Sequence, residues 1–149
     1  NTILMNSFAR KIVIQTVDES NFISHDWWCY LIISGAGGRI IYDKKKTVKY
    51  RQHSENLIGM NIGFINKKSR LIEFTSGKVK SWLDCNVENL SKYQKLLSKR
   101  NANVLKYFTK ARKSKNILKR IFYFLKSGVY RQSTLENLIF FIGLIFRKI

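Results

Sequence analysis

Two short segments of this chain combine residue types that could do chemistry together. Ser24-His25-Asp26-Trp27-Trp28 sets a carboxylate and an imidazole beside two indoles. Some two dozen residues later, Tyr50-Arg51-Gln52-His53 sets a cation and a second imidazole. A carboxylate within hydrogen-bond reach of a hydroxyl can take its proton. Aromatic faces pack on pyranose rings, and cationic groups hold a diphosphate. The set suits a sugar-handling site. The chain holds only 9 Asp and Glu in 149 residues, so an acid kept among aromatics stands out.

The elements that must position these groups follow from local pattern. Ser24 is a good N-cap, and Asp26 falls in the first helical turn, where the helix dipole favours an acid. The spacing predicts a helix from about His25 to Ser34, with Trp28, Leu31 and Ile32 on one side. Gly35-Ala36-Gly37-Gly38 ends it in a turn. That turn lacks the pattern of a dinucleotide or phosphate-binding loop and takes no phosphate role. Arg39-Ile40-Ile41-Tyr42 reads as a short strand and Asp43 to Lys46 as a solvated charged turn. Thr47 to Arg51 alternates as a second strand. Upstream, Thr2 to Met5 reads as a short strand and Ser7 to Ile12 as a short helix.

Each reactive residue also has a structural reading. Asp26 alone would be a first-turn helix acid. His25 fits a backbone-satisfied position better than a ligand. His53 divides evenly between ligand and loop residue, since one His without partners is weak evidence for a metal. At least one of Trp27 and Trp28 belongs in a core.

Composition narrows the class of partner. Lys and Arg number 28, giving a net charge of +19. Such a balance points to an anionic partner and says nothing of fold. Between Glu88 and Glu136 there is no acid and thirteen Lys and Arg. Two cysteines, Cys29 and Cys85, are too few for a disulfide framework or a Cys-based zinc site. No proline occurs, which favours long helices in the second half.

The order His25-Asp26-Trp27-Trp28, a glycine turn, Ile40-Ile41-Tyr42-Asp43, Tyr50-Arg51-Gln52-His53 and Asn56-Leu57-Ile58-Gly59 resembles the family 2 glycosyltransferases, most of all the rhamnosyltransferase-like enzymes of bacterial surface polysaccharides such as O-antigen and capsule. The resemblance covers about residues 1–65. It implies a GT-A fold, an α/β sandwich. It also implies inverting transfer of rhamnose or a similar sugar from a nucleotide diphosphate sugar to a saccharide acceptor. By that resemblance Asp26 is the catalytic base, Trp27 and Trp28 shape the acceptor subsite, and Arg51 adds charge. His53 approaches a divalent cation, Mg or Mn, or the leaving diphosphate. The indoles are expected to raise the pKa of Asp26. No Asp-X-Asp stands in the sequence, a departure that fits a fragment without its donor-binding half.

The expected organisation is thus an α/β carboxy-terminal half of a GT-A domain over 1–85 and a basic helical extension over 86–149. In the extension, apolar residues recur at helical spacing: Leu90, Tyr93, Leu96 and Leu97, then Val104, Leu105 and Phe108. Ile117, Leu118, Ile121, Phe122 and Leu125 form a third face, ringed by Lys115, Lys119, Arg120 and Lys126 and closed by Gly128. The apolar run Leu138 to Phe146, at ~1.5 Å per residue, falls far short of a ~30 Å bilayer core. These helices suit an anionic membrane surface, or packing on each other or on the missing half. Their aromatics do not interleave with basic residues, which argues against nucleic acid. A lipid-linked acceptor would place the protein in the cytoplasm, peripheral at the inner face of the plasma membrane. The rival from another class is a non-enzymatic basic module binding membrane or nucleic acid.

Overall fold

The computed structural model describes residues 3–17, 22–43, 45 and 77–149. Six α-helices follow in order among them: α1 Ser7–Val17, α2 His25–Gly35, α3 Lys78–Lys92, α4 Lys99–Lys113, α5 Ile117–Ser127 and α6 Thr134–Ile145. A 3₁₀ turn, Gln94–Leu96, joins α3 to α4. The α/β expectation is therefore corrected: among the described residues every regular element is a helix and no strand occurs. Ile40, Ile41 and Tyr42 are β-prone, yet they run irregularly with their side chains exposed. A strand needs a neighbour for its N–H and C=O groups, and no described segment supplies one. Ile3 to Met5 is likewise irregular. The strand expected over Thr47 to Arg51 lies outside the described residues. Residue 86, the expected start of the helical extension, falls inside α3.

The helix expected from His25 is α2, and the glycines end it as expected. Gly37 takes φ +86, and the Gly38 N–H donates to the Ile33 carbonyl at 2.9 Å, closing the last turn. Gly35 lies close under Leu97: a Cβ there would meet Leu97 Cδ2 at 2.8 Å and the leucine tip would have to shift.

Trp28 holds the first half together. It is 2% exposed and packs with Ile12, Cys29, Ile32 and Ile33. Its Nε1–H donates to Thr16 Oγ1 at 2.9 Å, tying α2 to α1. The Thr16 hydroxyl in turn donates to the Val13 carbonyl, and the Thr16 carbonyl accepts from Tyr93 Oη, which follows α3. Phe22 stacks on the indole at 5.1 Å.

The second half forms around Phe108, Ala111, Phe124, Phe140, Leu144 and Ile149. Its helices start on side-chain caps: Ser98, Asn116 and Ser133 accept from the amides of Asn101, Lys119 and Glu136. The halves join where α2 meets α4. Asn101 Nδ2 donates to the carbonyls of Ser34 and Gly35 at 2.9 and 3.0 Å, and the Ser98 amide donates to Gly35.

Arg120, expected with the lysines around the apolar face of α5, is instead buried. It is 4% exposed, under α6 and beside the α4–α5 turn. Its guanidinium donates to the carbonyls of Ser114 at 2.8 Å and Ile145 at 2.6 Å, with Leu144 at 3.3 Å. These carbonyls end α4 and α6, so the cation sits at the negative ends of two helix dipoles. Burial and the neighbouring Arg147 pull its pKa below the usual guanidinium value. It remains charged at any physiological pH.

Among the described residues no helix is long and apolar enough to cross a membrane.

Two substitutions test this framework. Trp28→Ala should cost about 3–5 kcal/mol in urea unfolding, the usual range for a buried large aromatic. Arg120→Met should cost at least about 3 kcal/mol, because several carbonyls lose their donor at about 1–3 kcal/mol each. Arg120→Lys should recover only part of that loss, since an ammonium cannot reproduce the planar fork.

Candidate functional site

The start of α2 shapes the environment of Asp26. Ser24 is the N-cap in extended backbone, but its hydroxyl does not cap the helix. It donates instead to Asp26 Oδ1 in a short contact. The same oxygen accepts the Trp27 amide at 2.9 Å. Both donors stabilise the charged form. The Ser24 hydroxyl is the larger cause and outweighs partial burial, so the carboxyl lies below its ordinary value of 3.8. The expectation of an indole-raised pKa is corrected: the nearest groups are hydrogen-bond donors, and the indoles turn elsewhere.

A cleft of about 490 Å³ opens beside this carboxylate, between α1, α2 and the segment after α2. Asp26, Tyr30 and Arg39 line it, with Asn6 and Phe8 from the opposite side. Tyr30 is more than half exposed and sits one helical turn beyond Asp26, on the same face. Cys29 also reaches the cleft, but burial and then the Asp26 charge push its thiol pKa up, so it stays protonated. Most of the lining is apolar, with Ile3, Leu4, Met5, Ile12 and Ile33 among it, and within it the cleft offers an ionised acceptor for a proton, an aromatic surface and a cation.

The three consecutive residues Asp26, Trp27 and Trp28 go three ways. Asp26 faces this cleft. Trp28 is consumed by the core. Trp27 lies edge-on to Trp82, with ring centroids 6.1 Å apart, at a second cavity of about 310 Å³ between α2, α3 and α4. That cavity is lined mostly by aliphatic side chains and by Asn86, whose Nδ2 is buried without a partner. The acceptor subsite expected from Trp27 and Trp28 is therefore not assembled around Asp26. Arg51 and His53 lie outside the described residues. Among the described residues, no three His, Cys, Asp or Glu side chains gather to hold a metal ion. The expected divalent cation thus finds no ligand set among the described residues.

Sequence reasoning missed Tyr30 and Arg39. The signal for Tyr30 was its i+4 spacing from Asp26. Arg39 had no signal, because its place depends on how the glycine turn returns the chain past α2.

The low pKa fixes a sign for stability against pH. A carboxyl depressed in the folded state stabilises the fold above its unfolded pKa and loses that contribution as pH falls through the folded pKa. The stability difference between the wild type and Asp26→Asn should be constant above about pH 5 and shrink in more acid solution. Urea midpoints of the two proteins across acid pH check this.

Comparison of the chain with protein-family models, with curated proteins and with solved structures finds no match, so the glycosyltransferase resemblance rests on the residues quoted for it.

Proposed function

We propose that this chain forms the acceptor side of an inverting sugar transfer. In this reading an acceptor saccharide enters the cleft of α1 and α2 and lays a ring against Tyr30. Asp26 takes the proton of the attacking hydroxyl. The hydroxyl oxygen forms a bond to the anomeric carbon of a nucleotide diphosphate sugar. The bond from that carbon to the diphosphate breaks, and its electron pair leaves with the nucleotide. The proton passes from Asp26 to solvent afterwards. Rhamnose or a similar hexose is the sugar the resemblance implies, and bacterial surface polysaccharide is the product.

The observation that carries the reading is the ionised Asp26 on an open cleft beside Tyr30 and Arg39. The helical fold lends no support, and a GT-A sandwich is no part of the proposal. The sequence contains no Asp-X-Asp. The donor's diphosphate and its cation would therefore be held largely by groups that this sequence does not contain. A lipid-linked acceptor would keep the protein peripheral at the cytoplasmic face of the plasma membrane.

The test is transfer from a nucleotide diphosphate sugar to a saccharide acceptor, measured in the whole enzyme that carries these residues. Asp26→Asn should lower kcat by about 10²–10⁴-fold, the usual contribution of a positioned base. The melting temperature should change by only a few degrees, since a partly buried first-turn acid is worth at most about 2 kcal/mol. Transfer that survives the change would overturn the assignment. Tyr30→Ala should raise the KM for acceptor more than it lowers kcat. Because Asp26 is ionised throughout, the rate should show no acid limb between about pH 5 and 8. A rising limb centred near neutrality would identify a different base.

A further inference from the structure

Helix α5 is built inside out. Its buried side holds Arg120, Phe124 and Ser127. Its outward side holds Leu118 at 74% exposure, Phe122 at 58% and Leu125 at 69%. These three lie at i, i+4 and i+7, a single narrow stripe. Exposed apolar residues scattered singly are ordinary, but an aligned set on one helix marks a surface that something covers.

The surroundings of the stripe identify the cover by charge. Lys115, Lys119 and Lys126 are exposed on or beside α5, and Lys106 and Lys110 are exposed on the adjoining α4. Tyr107 and Tyr123 stack between the two helices at 6.4 Å. The Lys126 ammonium lies 4.7 Å from the Tyr107 ring centroid and 5.6 Å from that of Phe122, and Lys110 lies 5.5 Å from Tyr123. No acid occurs between Glu88 and Glu136 to offset these cations. An apolar stripe, tyrosines with polar tips and lysines with long apolar stems match the boundary between acyl chains and anionic headgroups. The 11 residues of α5 reach about 16 Å, too short to cross and long enough to lie in the plane. A second aligned set on α6, Leu135, Leu138, Ile142 and Phe146, is also exposed.

We propose that the outward face of α5 is an interfacial anchor that seats Leu118, Phe122 and Leu125 in an anionic bilayer, with the flanking lysines at the headgroups. This deepens the peripheral location proposed above but rests on different residues from the sugar chemistry. Loss of transfer in Asp26→Asn leaves it untouched.

Sedimentation of the whole chain with vesicles tests it. Protein should partition onto phosphatidylcholine vesicles containing phosphatidylglycerol far better than onto phosphatidylcholine alone, and added salt should weaken the binding. The triple variant Leu118→Ser, Phe122→Ser, Leu125→Ser should bind the anionic vesicles on the order of a hundredfold more weakly, because it loses three apolar anchors. Its far-UV circular dichroism should match the wild type, since all three side chains are exposed. Replacing Lys115, Lys119 and Lys126 by Gln should weaken the preference for anionic lipid about fivefold per lysine, equivalent to about 1 kcal/mol each, with part of it kept by Lys106, Lys110 and the other cations. Equal binding of the wild type to both vesicles, or unchanged binding of the triple variant, would overturn the proposal. So would a wild type that ignores vesicles and self-associates in sedimentation velocity while the triple variant is monomeric. That result would give the stripe to a second copy of the chain.

Discussion

The second half of the molecule depends on one buried cation facing carbonyls. Among the described residues no carboxylate pairs with Arg120. It is held by the Ser114, Leu144 and Ile145 oxygens at the C-terminal ends of α4 and α6. A guanidinium withdrawn from water is tolerable only when its donors are met. Here the partial charges of two helix C-termini meet them. The arrangement fixes three helices at once, because the side chain that caps α4 and α6 is carried by α5. It also fixes the rotation of α5. Arg120, Phe124 and Ser127 each stand two residues after Leu118, Phe122 and Leu125. At 100° per residue, two residues are 200° around the helix, nearly the opposite face. Once Arg120 is turned inward, the leucines and phenylalanine are turned out. The exposed apolar stripe is thus a geometric consequence of the buried charge.

Trp28 plays the matching part in the first half, by a different means. Burial of a large ring supplies the energy, and the indole N–H to Thr16 supplies the direction. Rotation again decides the neighbours. With Trp28 facing the core, Asp26 stands 200° away and faces the α1 cleft, while Trp27 turns to the second cavity. A contiguous run of four reactive residues is therefore dispersed around a helix, and Tyr30, four residues from Asp26, is its real neighbour.

How much of this was legible follows from which signals are local. The glycines after Ser34 and Gly128 after Ser127 are punctuation that acts through nearby backbone, and α2 and α5 end where those residues place them. Ile40, Ile41 and Tyr42 misled because β-propensity expresses a fit to a neighbouring strand, and no described segment provides one. Arg120 misled because a charge within a lysine-rich helix looks solvated. Only the carbonyls arriving from residues 114, 144 and 145 show otherwise. The same tertiary fact reversed the apolar face of α5. At the candidate site, Asp26 at the helix start was readable from composition and capping. Arg39 was not, since its place on the cleft is set by the return of the chain after Gly38.

The hydrogen bonds that hold Asp26 ionised bear on how strong a base the proposed reaction requires. A donor hydroxyl from Ser24 and the Trp27 amide lower its affinity for a proton. A weaker base gains less from abstracting a hydroxyl proton in the ground state. In glycosyl transfer the hydroxyl becomes acidic only as its oxygen bonds to an anomeric carbon with oxocarbenium character, so the proton can leave late. A late transfer needs a carboxylate that is always ionised and correctly aimed more than one of high basicity. Ser24 and the Trp27 amide fix the carboxylate through Oδ1, and positioning of that kind is where an enclosed reaction gains most. The depressed pKa is therefore compatible with general-base work, provided the cleft brings the acceptor hydroxyl within hydrogen-bond reach of the carboxylate.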